Sequence, residues 1–300
     1  MRTSPVRWEM LTESDLALLE KVASANQTFR SIGLERILGD PELSEFFLAS
    51  DAVYDAIFGD TGDVFVHVSP FLSFVVLLHR SSRTIATTSF VTEWVGPRKR
   101  VPLFDTTKTR SILQDPEARL FLAELLASFT HVSSGVVIER SERGLRRRRF
   151  SELDLGSLLD LAHRSSGAIQ LQAVKRAGDL ALLLAGVFPD YAGVMLAKST
   201  RFQRAVWKAI ARAWKGGSVD PGGPGFGEGG ELGLDALENV AASCYRAVIG
   251  DTIDLEGIAY PSSTALKRIA EDIEPARRAL NFLTDRYLFA YRSTWFGTPN

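Results

Sequence analysis

The hydrophobic pattern of the first sixty residues predicts two or three helices. Leu16, Leu19 and Val22 recur at helical spacing after Thr12-Glu13-Ser14-Asp15, a capping-box type of helix start with aspartate in its last position. Asp40-Pro41-Glu42 is a second helix start, because it combines an N-cap, a proline suited to the first helical position and an acidic first turn. A helical layer is therefore expected before any strand.

The period of the pattern changes after residue 63. Residues 64–68 alternate and residues 71–78 form a continuous apolar run, and both patterns predict strands. Residues 84–95 are rich in Thr, Val, Ile, Phe and Trp, which predicts an antiparallel return strand. Residues 101–104 add a short third strand. We therefore expect a small antiparallel meander with helices packed on one face.

A second hairpin is predicted just before the middle of the chain. A helix starts at Asp115-Pro116-Glu117, and residues 136–140 and 145–150 then read as two strands joined by a turn that ends on Gly144. From Ser151 onward the pattern is helical. The sequence thus predicts an α+β fold that is predominantly α-helical, with a mixed region over 1–150 and a helical domain over 151–300.

Glycine and proline dominate residues 216–230, which predicts a surface loop or linker inside the helical domain. Gly225, Gly227 and Gly230 formally match a dinucleotide-binding fingerprint. That fingerprint needs a strand before its glycines, and a tryptophan-containing helix pattern precedes them here. No cofactor is therefore predicted.

The helix pattern over residues 171–185 is apolar on almost every side, which predicts a core helix enclosed by other elements. Its apolar run is too short to cross a bilayer and contains Asp179. Arg176 and Asp179 share a face. They are predicted to form a structural ion pair, with each other or with groups on a packed neighbour, and a charged pocket is the functional alternative.

The glycines of this helix have separate predicted roles. Gly178 would let a neighbouring element approach closely, whereas Gly186 suits a left-handed C-cap and Pro189 cannot continue the helix. The segment resembles uncharacterised bacterial proteins with an Arg-x-x-Gly-Asp-x-x-Leu-x-x-x-Gly-x-Phe-Pro pattern, with the first spacing one residue shorter. The matching residues are Arg176, Gly178, Asp179, Leu182, Gly186, Phe188 and Pro189. The resemblance covers this segment alone and implies no activity.

Composition excludes several classes of function. The chain carries 35 basic and 36 acidic residues, so net charge produces no general attraction to nucleic acid or membranes. The single cysteine, Cys244, excludes an intrachain disulfide and is predicted to be a buried, inert thiol. With no apolar run of transmembrane length, a cytoplasmic protein without membrane contact is expected.

Chemical motifs are absent from the sequence. The four histidines, His67, His79, His131 and His163, do not stand at the spacing of a helix-borne zinc pair, and no P-loop or nucleophile-elbow motif occurs. No catalytic residue and no metal site are predicted. An enzyme remains an open alternative if His67, His79 or His131 converges on carboxylates in space.

The strongest local charge feature lies on the predicted second hairpin. Six arginines fall within residues 140–149, namely Arg140, Arg143, Arg146, Arg147, Arg148 and Arg149. Their guanidinium groups would suit phosphate contacts, which predicts nucleic-acid binding as an alternative function. A solvated strand edge, where charge discourages sheet association, is the simpler interpretation.

The C-terminal helix, residues 275–296, combines arginine with aromatic residues. Arg277, Arg278, Arg286 and Arg292 alternate with apolar residues there, and Trp295 and Phe296 follow. Such a segment docks either on its own core or on a protein partner or second copy, since tyrosine, tryptophan and arginine are favoured at interfaces. We therefore expect a non-enzymatic cytoplasmic interaction or accessory protein.

Overall fold

The computed structural model is mostly helical with antiparallel hairpins in the first half, which confirms the predicted α+β class. It describes residues 8–59, 64–96, 99–130, 134–141, 144–200, 203–204, 206, 233–252 and 263–296, with backbone alone for 134–150. The predicted loop at 216–230 lies outside the described residues.

The elements follow in chain order. The helices of the first half are α1 (Glu13–Ala25), α2 (Leu34–Gly39), α3 (Pro41–Leu48), α4 (Asp51–Phe58), α5 (Pro70–Ala86), α6 (Thr107–Gln114) and α7 (Pro116–Ser128). The strands are β1 (Val91–Gly96), β2 (Lys99–Leu103), β3 (Ser134–Ser141) and β4 (Gly144–Ser151). The later helices are α8 (Leu155–Arg164), α9 (Gly167–Val187), α10 (Pro189–Lys198), α11 (Leu234–Thr252), α12 (Ser263–Glu271), α13 (Ile273–Leu283) and α14 (Arg292–Trp295).

The predicted helix starts are confirmed by their hydrogen bonds. Thr12 N donates to Asp15 Oδ2 at 2.9 Å and Asp15 N donates to Thr12 Oγ1 at 3.2 Å, which completes the capping box of α1. Asp40 and Asp115 accept from the first-turn amides of α3 and α7 in the same way. Asp15 also accepts from Ser69 N at 2.8 Å, so this buried carboxylate ties α1 to the start of α5.

The strands predicted at 64–68 and 71–78 are wrong. Residues 64–66 form a 3-10 turn, and residues 71–78 belong to α5, which Ser69 caps and Pro70 begins. Phe71 to Leu78 are all buried, because α3, α6 and α7 surround this part of the helix. An apolar run buried on every side has no periodicity to separate helix from strand, and the cap was the deciding local signal.

The two hairpins are confirmed in part. Strand β1 pairs with β2 from Val91↔Leu103 to Gly96↔Lys99, so the predicted meander is a two-stranded hairpin without a third member among the described residues. The return strand begins at Val91 because residues 84–86 still belong to α5. Strands β3 and β4 pair from Ser134↔Ser151 to Ser141↔Gly144, which confirms the backbone of the second hairpin.

Helix α9 is the enclosed core helix that the sequence predicts. It packs on α8, α11 and α13, and every residue from Ala177 to Phe188 is buried. After Val187 the chain turns through 109° into α10. Among the described residues no single helix is long and apolar enough to cross a membrane, although α9 and α10 meet that test when taken together.

The two glycines of α9 serve close packing. A Cβ on Gly178 would lie 2.9 Å from Tyr245 Cε1, which confirms the predicted close approach. The left-handed cap predicted at Gly186 is wrong, because the helix continues to Val187 and the described glycines with positive φ are Gly33 and Gly167. A Cβ on Gly186 would instead lie 2.6 Å from Leu280 Cβ, so this glycine lets α13 cross α9.

One hydrophobic cluster contains buried residues from Leu19 to Phe296, so both halves of the chain contribute to the same core. The boundary between them at residue 150 stays a prediction. The contacts that join the halves include α7 with α12 and α6 with α13. The C-terminal helices therefore complete a core that the N-terminal helices begin.

Candidate functional site

The C-terminal segment docks its inner side on its own core. Leu280, Leu283, Leu288, Trp295 and Phe296 are buried. The ring centres of Phe296 and Trp295 lie 5.8 Å and 5.7 Å from the ring centre of Phe74 on α5. On this side, the segment therefore docks on its own core, the first of the two predicted alternatives.

A buried ion network occupies the polar part of that inner side. Arg277, only 3 % exposed, donates to Glu93 Oε1 at 2.5 Å, to Asn281 Oδ1 at 2.8 Å and to a carboxylate oxygen of Glu238. Arg278 donates to the same Glu93. Arg277 and Arg278, which the sequence analysis named as candidates for a partner interface, thus join α13 to β1 and α11 within this chain.

The electrostatics of the network follow from its burial. Burial acts to lower the pKa of Arg277, but the carboxylates of Glu238 and Glu93 outweigh it and the pKa is raised. Burial raises the pKa of the Glu238 carboxyl, although the charge of Arg277 opposes that rise. The guanidinium therefore stays charged and neutralises two carboxylates inside the fold.

Asn281 connects this network to the end of α9. Its Nδ2 donates to Gly186 O at 2.7 Å and to Ala185 O at 3.2 Å. These carbonyls belong to the last turn of the helix, where no further helical amide satisfies them. The amide of Asn281 thus takes the place of a helix cap, which explains why a left-handed glycine is not needed there.

The outer side of the same segment stays exposed. Phe289 is 53 % exposed and Tyr291 42 %, and Tyr191 and Val194 of α10 are exposed to a similar degree. Arg292 links the two elements, because its Nη2 lies 3.3 Å from Asp190 Oδ2 and its guanidinium lies 4.7 Å from the Phe289 ring centre. We call Tyr191, Val194, Phe289, Tyr291 and Arg292 the aromatic patch.

A π-helical turn lies directly before Phe289 of the aromatic patch. Residues Thr284–Leu288 form this wide turn, and Phe289 N donates to Thr284 O at 2.9 Å. The chain leaves the helix directly after this turn, where Phe289 faces solvent whereas Leu288 is buried. The turn is held at Asp285, whose carboxylate accepts from Arg100 at 3.2 Å.

Sequence analysis found only part of this surface. Phe289, Tyr291 and Arg292 lie within the predicted segment 275–296, whereas Tyr191 and Val194 carried no signal. They reach the patch because the chain turns sharply between α9 and α10 and because Asp190 pairs with Arg292. The second of these is a contact between elements far apart in sequence.

The predicted structural pair of Arg176 and Asp179 is resolved differently from a mutual ion pair. Asp179 Oδ2 accepts from Lys175 Nζ at 2.8 Å, and its Oδ1 accepts from Tyr245 Oη at 3.0 Å. Arg176 donates to Glu152 Oε2 at 2.7 Å and to Ser128. Asp179 is thus held by Lys175 of its own helix and by Tyr245 of α11, and Arg176 is held by groups outside α9.

Cys244 is buried against this cluster, as predicted. Burial, together with the charge of Asp179, raises the pKa of the Cys244 thiol to about 12. Burial also raises the pKa of Tyr245 well above its ordinary value. Neither group forms its anion near neutral pH, so neither is activated as a nucleophile.

The histidines do not share a sheet. His79 is buried on α5, His67 is exposed after the 3-10 turn and His163 is exposed on α8, whereas His131 lies outside the described residues. Because the strands predicted at 64–68 and 71–78 are absent, no sheet brings His67 and His79 together. In the described part of the chain no three His, Cys, Asp or Glu side chains could hold a metal ion together.

Five of the six arginines of the second hairpin are placed, by backbone alone. Arg140 lies on β3 opposite Leu145, and Arg146 to Arg149 lie on β4 opposite residues 136–139. Arg143 lies outside the described residues. The predicted hairpin carries the arginine run, and the contacts of those side chains stay a prediction.

Comparison with known proteins identifies no relative. No protein-family model, no curated protein and no solved structure matches this chain. The likeness of the α9 segment to bacterial proteins with a similar pattern therefore stays a prediction.

Proposed function

We propose that this chain is a non-enzymatic interaction protein that binds a protein partner through the aromatic patch. The observation that carries the proposal is the exposure of Phe289 and Tyr291 on a segment that Arg292 ties to α10, where Tyr191 and Val194 are also exposed. Isolated exposed apolar residues are ordinary, but a group around a fixed arginine is typical of an interface.

The patch is organised before any partner arrives. Tyr291 stacks on the buried Trp295 ring at 5.0 Å, and Arg292 is held by Asp190 and by the carbonyl of Val187. Side chains that are already ordered lose less conformational entropy when a partner binds. A cytoplasmic location belongs to the same proposal and is supported by the free, buried Cys244 thiol.

Changing Phe289→Ser together with Tyr291→Ser is expected to weaken partner binding by about tenfold or more, because aromatic anchors carry much of an interface's energy. Light scattering after size exclusion tests self-association over a range of concentrations. For a different partner, a pulldown with this chain captures the protein, which is then identified and purified. Calorimetry measures its affinity for the original chain and for each variant.

The matched control is Phe104→Ser with Ile169→Ser, two exposed apolar residues on other elements. The control should bind like the original chain, and thermal melts should show that all three proteins are folded. A chain that stays monomeric, and that captures no protein whose affinity depends on the patch, would rule the proposal out.

A second candidate is nucleic-acid binding through the hairpin at 140–149. Its support is that β3 and β4 pair over their full length, so Arg146 to Arg149 lie on one continuous strand. Such a strand can follow a phosphate backbone, where affinity comes from neutralised charge and depends steeply on salt.

Replacing Arg146, Arg147, Arg148 and Arg149 with alanine is expected to reduce the salt dependence of this binding. Each lost phosphate contact lowers the slope of log K against log salt by about one. Fluorescence anisotropy with duplex and single-stranded DNA measures that slope, with Arg30→Ala/Arg36→Ala as the control on exposed arginines elsewhere. An equal slope for all three proteins would remove nucleic acid from consideration.

A further inference from the structure

A cluster of three titratable side chains joins α3, α5 and α7, on elements that do not carry the aromatic patch. Glu45 belongs to α3, His79 to α5 and Arg119 to α7. Two basic groups converge on one carboxylate oxygen, since Arg119 donates to Glu45 Oε2 and His79 Nδ1 lies 3.3 Å from the same atom. The cluster therefore sets two bases against a single carboxylate.

The two bases of the cluster are buried, whereas the carboxylate lies at the surface. Arg119 is 3 % exposed and His79 is 2 % exposed, but the side chain of Glu45 is 38 % exposed. Glu45 lines a surface groove together with other charged residues, namely Glu42, Arg83, Asp115 and Glu117. The cluster therefore meets solvent through Glu45.

The two bases are held differently. Arg119 also donates to Ser82 Oγ at 3.2 Å and to Leu113 O at 2.6 Å, so its guanidinium is fixed in place. His79 Nδ1 makes no hydrogen bond to any described residue. A neutral imidazole can occupy this position because it carries no charge that needs a counter-ion. A buried imidazolium is costly there, since Glu45 already neutralises Arg119.

The charges that act on His79 come from two of the helices that pack on α5. Glu45 of α3 favours the protonated imidazole, and Arg119 of α7 opposes it. Charged groups of the other packed helices bind elsewhere, namely Asp51 of α4 to Arg80, Arg110 of α6 to the carbonyl of Ile85, and Arg277 of α13 to Glu93 and Glu238. The protonation of His79 is therefore decided within the cluster and by its burial.

Burial disfavours the proton on His79. It lowers the pKa of the imidazole below its ordinary value of 6.5, although Glu45 opposes this shift. If α3 opens, water reaches the imidazole and the ordinary pKa returns. The open state then binds more protons than the closed state below about pH 6.5. The closed state is therefore fully favoured above that pH and loses stability as the pH falls.

Glu45 responds to acid in a separate pH range. Burial acts to raise the pKa of its carboxyl, but His79 and Arg119 outweigh burial and the pKa is lowered from 4.5. Protonation of Glu45 therefore destabilises the closed state only below that value. A change between about pH 7 and pH 5.5 consequently reports His79 rather than Glu45.

Helix α3 is the shortest of the three helices at the cluster. It has 8 residues, against 17 in α5 and 13 in α7, and its buried residues are Ser44, Phe47 and Leu48. The Ser44 hydroxyl is buried without a hydrogen bond to any described residue, so it adds no polar contact with the core. Elements with few buried contacts open locally at low free energy. Helix α3 is therefore the element that an added charge in the cluster would release.

We propose that Glu45, His79 and Arg119 form an acid-sensitive switch, in which protonation of His79 releases α3 from α5 and α7 and exposes Phe47 and Leu48. The neutral imidazole keeps α3 closed. The imidazolium favours the open state because water then hydrates both cations. The fraction of molecules with the apolar side of α3 exposed therefore rises as the pH falls below about 6.5.

Hydrogen exchange of the α3 amides at about pH 7 and about pH 5.5 measures this opening, after each rate is divided by the intrinsic rate at that pH. The corrected rate should rise about eightfold at the lower pH, the change produced by one histidine with an ordinary pKa in the open state. The amides of α9 and α11 should not show this rise, because the rest of the core stays closed.

Two variants decide whether His79 is responsible. His79→Gln removes the group that takes up the proton, so its corrected α3 rate should change by less than about twofold between the two pH values. His163→Gln is the matched control, since it removes an exposed histidine on α8, and it should keep the eightfold rise. Circular dichroism shows whether each variant is folded.

The imidazole signal of His79 in NMR spectra of the original chain is a second measurement that needs no variant to fold. In the closed state His79 should stay neutral at about pH 5.5. An imidazole that gains its proton at the ordinary value, an α3 rate without pH dependence, or the same pH dependence in His79→Gln would overturn the proposal. An equal rise in α9 and α11 would also overturn it, because the whole core would then be unfolding.

Discussion

Replacing Arg277 with methionine is expected to lower the free energy of unfolding by about 3–5 kcal/mol, the usual cost of removing one partner from a buried ion network. The methionine would fill much of the space, but Glu93 and Glu238 would lose the guanidinium that donates to both, and the buried Glu238 carboxyl would have to stay unpaired or take up a proton. Asn281 would also lose its acceptor contact with Arg277, and with it a support for the end of α9.

Urea unfolding followed by circular dichroism at neutral pH measures this loss. Arg278→Met is the matched control, since Arg278 contacts the same Glu93 but is more exposed and also pairs with Glu274 at 2.5 Å. The control should lose about 1 kcal/mol or less. Similar losses for both variants would mean that Arg277 behaves as a surface arginine, in conflict with its burial.

Gly186→Ala is expected to lower the free energy of unfolding by about 1–3 kcal/mol, because the added methyl group overpacks a closed contact. The new Cβ would lie 2.6 Å from Leu280 Cβ and 2.8 Å from Leu280 Cδ1. The first of these atoms is fixed to the backbone of α13, so relief requires the two helices to separate. That separation would stretch the hydrogen bonds from Asn281 to the end of α9.

Gly250→Ala is the control for the helical preference of alanine, since a Cβ there meets nothing within 4 Å. In α11 it should leave stability unchanged or raise it by up to about 1 kcal/mol. A double-mutant cycle with Leu280→Gly removes the Cβ that the new methyl group meets, and the double variant should be more stable than the sum of the single losses indicates. Additive losses would show that Leu280 does not meet the new methyl group.

Local chemistry explains the elements that were predicted correctly. Thr12, Asp40 and Asp115 begin helices because each side chain satisfies amides two or three residues ahead, a contact decided within one turn. The turn at Gly144 and the core helix over 171–185 follow in the same way from residue type and apolar content. Such signals need no knowledge of the neighbouring elements.

The strand prediction for residues 71–78 failed for a corresponding reason. An apolar run indicates only that the segment is buried. Whether it forms a helix or a strand depends on the elements that surround it. Here Pro70 and the cap at Ser69 begin a helix, and the helices around it bury every side. The Ser69 cap and Pro70 at the first helical position are the local signals that favour a helix over a strand here.

The candidate sites were the least accessible to sequence reasoning. The aromatic and arginine content of segment 275–296 was visible in the sequence. The sequence did not show that Arg277 would be buried in the core while Phe289 stayed exposed. That division depends on contacts that Arg277 makes with Glu93 and Glu238, which lie far away in the sequence. The cluster of Glu45, His79 and Arg119 had no sequence signal either, because these residues become neighbours only when α3, α5 and α7 pack.

The sequence by itself determined the helix starts, the α+β class and a core helix carrying charged residues, since these follow from contacts within a few residues. Tertiary structure alone decided that Asp179 pairs with Lys175 and Tyr245, that Gly186 makes room for Leu280, and which carboxylates share a groove. These outcomes depend on the crossing of elements far apart in the chain, whose geometry is set by the packing of the whole core.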